Sequence, residues 1–230
     1  MQDWVFLREA LLRLFLLLNI NCVLDVGAHT GDYGSFLRDL GYEGWIVSFE
    51  PVDDSFQHLR RRVARDPKWS VHHVALGSEE KTMSINVTRS RVFSSFLTPD
   101  TLCTERFHDK GTVERQQEVA MRRLDAVFHE VLPPIPDPHI YLKIDTQGWD
   151  IQVLRGASGM LNHVAGLQSE VSVQKIYAGM PGYLEVLATL EELGFELVEM
   201  VPVSRKDNLA VIEFDSLMIR REAHMTVGTA

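Results

Sequence analysis

Four carboxylates close apolar runs in this chain, and their placing is the first sign of chemistry. Asp25 lies in Val23-Leu24-Asp25-Val26-Gly27, Glu50 follows Trp45–Phe49, Asp145 follows Leu142-Lys143-Ile144, and Glu170 sits in Gln168-Ser169-Glu170-Val171-Ser172. An acid at the end of a buried strand needs hydrogen-bond donors, because burial without them is costly. The first acid opens the string Asp25-x-Gly27-x-x-x-Gly31, and the second stands just before Pro51. Gly27 permits dihedrals closed to other residues, and Gly31 lets the following helix approach. A Gly-spaced turn after one apolar strand, with an acid ending the next, describes a nucleotide-shaped pocket in which Glu50 holds ribose hydroxyls.

The details favour S-adenosylmethionine over a dinucleotide. Dinucleotide sites read G-x-G-x-x-G around a pyrophosphate, a pattern this turn lacks. Asp25 would repel a pyrophosphate but suits the cationic amino group of S-adenosylmethionine, directly or through water. Asp145 and Glu170, at the ends of neighbouring strands, would push one of their two pKa values upward. That favours a general base, or alternatively a shared divalent cation. Asp145 is the first candidate base, Glu170 its support, and His29 in the Gly-spaced turn the runner-up. Lys143 can neutralise a nearby acid. No His, Cys, Asp or Glu set has a zinc-like spacing, so no metal ligand is assigned, and Mg²⁺ on Asp145 and Glu170 is possible but not favoured. His139 and His163 read as structural.

These residues need a scaffold. Strand-length apolar runs are read near Cys22–Val26, Trp45–Phe49, Ser70–Leu76, Ile140–Ile144, Gly166–Val171, Glu196–Val201 and Asn208–Ile219. Helical patterns at Tyr33–Leu40, Asp53–Arg65, Leu124–Val131, Ile151–Gly156 and Tyr183–Leu193 alternate with them, which implies a largely parallel sheet covered on both faces. Gly41 and Gly194 stand where helix caps belong. Lys81–Arg123 breaks the alternation with polar, β-like segments around a Ser/Thr-rich middle, read as a lid or insertion over 88–123. Residues 1–20 read as an N-terminal helix, 21–222 as the catalytic domain and 223–230 as a tail.

At 230 residues, 45% hydrophobic and 24% charged, the chain fits one α/β domain with a sizeable core. A net charge of −9 argues against nucleic acid as a partner. Two cysteines, Cys22 and Cys103, make no disulfide framework and point to a reducing, cytoplasmic setting. The run Leu14–Leu18 is too short to span a bilayer. Apolar residues surround most of the Asp3–Leu18 helix, so it packs on the domain, over the pocket or on a partner subunit, which allows a homo-oligomer.

The strings LDVGAHTG, SFEP, HHVALGS, FSSFL, RLDAV, YLKIDTQGWDIQVLRGA, SEVS and DSLMIRR, in this order, resemble the FkbM family of S-adenosylmethionine-dependent methyltransferases. The resemblance covers Asn21 to Arg221. It implies the Rossmann-like class I methyltransferase fold, a doubly wound seven-stranded, mostly parallel sheet. It also implies O-methylation of a sugar or natural-product small molecule. It places Asp25, Gly27, His29, Thr30, Gly31 and Tyr33 on the first cofactor loop, and Glu50 with Pro51 at the ribose. It further places Ala75 and Leu76 near the adenine, Ser94 and Ser95 on a paired-serine segment, and Asp145 on the acid of the LKID motif. Two positions depart from the pattern: His29 stands where many relatives carry Asn, and Gln147 where they carry Glu. Alternatives are N-methylation on the same fold, a catalytically inactive cofactor-binding relative, and, on other chemistry, an NAD-dependent oxidoreductase.

Overall fold

The computed structural model describes residues 4–221. The proposed tail, and Asp3 at the start of the expected N-terminal helix, lie outside the described residues.

Seven strands form the main sheet: β1 (Cys22–Val26), β2 (Trp45–Phe49), β3 (Trp69–His72), and, after a smaller sheet, β7 (Ile140–Ile144), β8 (Val164–Ser172), β9 (Phe195–Arg205) and β10 (Val211–Arg220). Their spatial order is β3-β2-β1-β7-β8-β10-β9. The first five are parallel, and β10 runs antiparallel to both β8 and β9. This is the doubly wound, mostly parallel sheet expected from the sequence. Every residue of β1 and of β7 is buried, so both strands are covered on both faces, as near-continuous apolar runs require. Each fully buried Leu, Val or Ile there contributes roughly 1.5–3 kcal/mol.

The helices are α1 (Trp4–Leu17), α2 (Asp32–Asp39), α3 (Asp53–Val63), α4 (Thr101–Phe107), α5 (Leu124–Val131), α6 (Asp150–Gly156) and α7 (Tyr183–Glu192). In α1, Leu7, Leu11 and Leu14 form one buried stripe, continued by Leu18 and packed on Val23, Tyr141 and Leu217 of the sheet. α3 opens on Asp53 and Asp54 and closes on Arg60–Arg62, charges that match its dipole. Gly41 and Gly194 stand just past the ends of α2 and α7 with positive φ, as their cap reading requires.

Two segments differ from the sequence reading. The single run expected over Ser70–Leu76 splits at His73 and Val74. Its second part, β4 (Ala75–Leu76), leaves the main sheet and pairs with β6 (Val113–Arg122). The expected polar insertion is framed by β6 and β5 (Lys81–Thr88), which pair antiparallel, so β4, β5 and β6 make a second, three-stranded sheet. Its apolar face, Ile85, Val87, Val119 and Met121, packs with Ala75 and Val52. The second sheet thereby stands beside the carboxyl ends of β1 and β2.

Candidate functional site

The order of the main sheet reverses between β1 and β7, and such switch points open a crevice beyond the carboxyl ends of the strands. A cleft with about 650 Å³ of empty space, part of it open to solvent, lies there. Gly27, His29, Glu50, Pro51, Ala75, Leu76, Ser94, Ser95 and Asp145 all line it. The structure therefore brings nine of the expected positions together from five separate stretches of chain.

Gly27 shows why this turn takes its shape. Its φ is +81°, and a Cβ there would fall 1.9 Å from the carbonyl oxygen of Asp145. The glycine is required by the neighbouring β7 turn rather than by the volume of a ligand. Glu50 is 5% exposed. Its Oε2 accepts the backbone N–H of His29 and its Oε1 that of Val52, each at 2.8 Å. The donors that permit its burial are thus backbone amides, and each oxygen keeps lone pairs for a ligand. Burial pushes the Glu50 carboxyl up to about 7 against the pull of those two amides.

Beneath the cleft lies a charged layer. Asp25 is fully buried; its Oδ2 accepts from the Ser48 hydroxyl at 3.1 Å, and its Oδ1 lies 3.8 Å from Lys143 Nζ. The same ammonium reaches Asp145 Oδ2 at 3.0 Å and sits 5.1 Å from the centre of the Tyr33 ring. Burial raises the pKa of Asp25, with Lys143 opposing. Burial would also raise that of Asp145, but the Lys143 charge and bonds from Gln147 and Lys143 bring it below its ordinary value. Asp145 is therefore held ionised.

Gln147 ties this layer to its surroundings. It adopts a left-handed φ of +53°, and its Nε2 donates to Asp145 Oδ1 at 2.9 Å and to Glu170 Oε2 at 2.8 Å. Its Oε1 accepts from the Tyr177 hydroxyl at 2.8 Å, and its backbone carbonyl from Ser95 Oγ at 2.8 Å. The amide protons occupy the direction in which a cation shared by the two carboxylates would lie. Among the described residues, no group of three or more His, Cys, Asp or Glu is placed to hold a metal ion. Glu170 moves opposite to Asp145: burial, then the charges of Asp145 and Glu213, raise its pKa well above the ordinary range. Burial likewise lowers the pKa of His29, leaving its ring neutral near pH 7.

Five expected positions do not line the cleft. Asp25 lies under its floor. Thr30 turns its hydroxyl to Asp32 at 3.0 Å. Gly31 is placed by packing, since a Cβ would meet Leu59 at 2.7 Å. Tyr33 is buried and donates to Gln168 at 2.8 Å. Glu170 stands behind Gln147 and is partly exposed. Other lining residues carried no role in the cofactor reading: Val52, Ile85 and Phe96 on the apolar wall, with Trp149, whose ring lies 5.2 Å from that of Phe96. Arg91 lines the rim and is bound to Glu114 at 2.9 Å and to Asp54 at 3.5 Å. Tyr177, which orients Gln147, has no recognisable signal in the sequence.

The chain matches the family model described as the methyltransferase FkbM domain over residues 25–197. No curated protein matches it. In overall shape it resembles fibrillarin from Aeropyrum pernix with natively bound S-adenosyl-L-methionine, at 13% identity over 90% of this chain and 74% of that one, TM-score 0.49. It also resembles a SAM-dependent methyltransferase from Aquifex aeolicus, at 15% identity over 95% and 90%, TM-score 0.45. A third likeness is to an rRNA methylase from Streptococcus thermophilus, at 9% identity over 96% and 98%, TM-score 0.49. Among the described residues, no helix is long and apolar enough to cross a membrane.

Proposed function

Because the chain belongs to the FkbM methyltransferase family, we propose that it moves the methyl group of S-adenosylmethionine onto a hydroxyl of a small molecule such as a sugar or natural product. The residues of the cleft fit that cofactor. Glu50 offers carboxylate lone pairs suited to two ribose hydroxyls. Val52, Ala75, Leu76, Ile85 and Phe96 form an apolar wall suited to a purine. The buried indole N–H of Trp149 has no acceptor among the described residues, and purine ring nitrogens are acceptors. When bound, the cofactor supplies a methyl carbon made electrophilic by its sulfonium.

The chain's own groups do the rest. The apolar wall and the Arg91–Phe96 strap exclude water, and the fixed turn at Gly27 aligns the reactants, a contribution that can dominate such a displacement. Asp145, held ionised by Lys143, is a poor proton acceptor and serves to orient the acceptor. Glu170, partly exposed behind Gln147, takes the hydroxyl proton through one intervening water. This reverses the order given by sequence alone, and one observation supports it: two adjacent carboxyls at the ends of β7 and β8 have pKa values driven apart. A neutral amine acceptor would need no such base, which is why oxygen is favoured over nitrogen.

The test begins with calorimetric titration of S-adenosylmethionine, S-adenosylhomocysteine and NAD. It continues with methyl-labelled cofactor against a panel of alcohols and amines. Binding of the first two ligands and label transfer to alcohols are expected, with Glu170→Gln lowering kcat by about 10²–10⁴. Label appearing on amines alone would transfer the reading to N-methylation. Cofactor binding with no transfer to any acceptor would favour the inactive relative.

A further inference from the structure

The outer side of α1 carries large apolar side chains that no described residue covers. Of the thirteen most exposed large apolar side chains among the described residues, five lie on this helix: Val5, Phe6, Leu12, Leu16 and Leu17, at 44–81% exposure. At 100° per residue they lie opposite the buried Leu7–Leu11–Leu14 stripe in two groups, Val5, Leu12 and Leu16 on one flank and Phe6 and Leu17 on the other, with the exposed Glu9 and Arg13 between them. Two more, Val198 and Met200, at 46% and 44%, stand on β9 and line a groove together with Phe6 and Leu17. β9 is itself an edge of the main sheet. Its eleven residues pair on one side with β10 and present open backbone groups on the other. An apolar edge of that length normally requires cover.

We propose that this face binds a second copy of the chain in an isologous dimer, with α1 against the partner's α1 and the two β9 edges facing across the two-fold axis. Three observations favour a second copy over other cover. The seven side chains are each 44–81% exposed, apolar surface that a standard interface of approximately 800 Å² per partner would bury. A strand edge running antiparallel to its own copy closes on itself, as two-fold symmetry demands. The charges are also self-complementary. Arg13 is the one cation lining the groove and Glu199 lines it on the strand, and among the described residues neither forms an ion pair, nor does Glu9 one turn from Arg13. The proposed pairing sets Arg13 of each copy opposite Glu199 of the other. The cleft lies near β1, β2 and the second sheet, so the dimer leaves both clefts open.

The test is the mass of the full chain in solution, by sedimentation and light scattering at micromolar concentration. The wild type is expected at twice the monomer mass. Leu16→Glu, at an 81% exposed position, should give a monomer with unchanged thermal melting and cofactor affinity. Arg13→Glu and Glu199→Arg should each weaken association by roughly tenfold or more, and combining them should restore it. A monomeric wild type would overturn the proposal. If that monomer floats with phosphatidylcholine vesicles, the apolar face serves a membrane surface instead. A Leu16→Glu dimer, or no recovery in the double reversal, would overturn it equally.

Discussion

Replacing Lys143 by Met isolates the electrostatic core of the site. The substitution keeps the length of the stem and removes the ammonium that stands 3.8 Å from Asp25 and 3.0 Å from Asp145. Breaking a buried pair in this way costs about 3–5 kcal/mol, because an uncompensated charge stays behind. Asp145, whose side chain is 30% exposed, can recover part of its solvation from water; Asp25, at 0%, cannot. Most of the loss should therefore sit on Asp25. Its native pKa, already raised by burial, would rise further once Lys143 is gone. A native pKa above the unfolded one means the native state holds the extra proton, so stability falls as pH rises and recovers as pH drops. Over a window from about pH 7.5 to 5.5, one such proton is worth up to ~2.7 kcal/mol. Urea unfolding of wild type and Lys143→Met at both pH values measures this. The variant's deficit should shrink by ~1–2.7 kcal/mol at the lower pH, and Lys143→Met with Asp25→Asn should remove most of that pH dependence. A deficit under about 1 kcal/mol, or one indifferent to pH, would refute the account of Lys143 as the common counter-charge.

Four further outcomes are expected. Glu50→Ala should weaken S-adenosylmethionine binding by roughly 1.5–3 kcal/mol, read by calorimetry. Ribose donors would favour the ionised form of a carboxyl raised to about 7, so cofactor binding near neutral pH should release protons and tighten as pH rises. Equal heats in buffers of different ionisation enthalpy would count against this. Gly27→Ala should destabilise the fold by about 2–4 kcal/mol, combining a left-handed φ with a collision at the Asp145 carbonyl, and a normal melting temperature would contradict that geometry. Gln147→Glu places a third carboxylate against Asp145 and Glu170; it should lower stability at neutral pH by about 1–3 kcal/mol, with recovery in acid, by the same unfolding assay.

The sequence made β1, β2 and β7 legible to the residue because each is a short buried run bounded by turns and nearly every position is apolar. The same runs located Glu50 and Asp145, since a strand end fixes where its acid emerges. The loop after β1 was less readable. Thr30, Gly31 and Tyr33 share a motif with Gly27, yet the chain has already turned into α2 there, and their contacts go to Asp32, Leu59 and Gln168. β5 and β6 are polar on one face and separated by the segment Arg89–Thr112, which carries α4, so no local pattern announces their pairing. The link from Tyr177 to Gln147 crosses thirty residues and depends on a left-handed glutamine that no propensity favours.

The place of β10 has a consequence for synthesis of the chain. This strand is the last of the described strands in sequence, yet it sits inside the sheet between β8 and β9. On the ribosome, β8 must therefore wait with one edge open until Val211–Arg220 emerges, and β9 has no strand to join before then. Glu170 lies on that waiting edge, opposite Asp215. Premature termination between Ser172 and Val211 would thus leave β8 with an exposed, aggregation-prone edge.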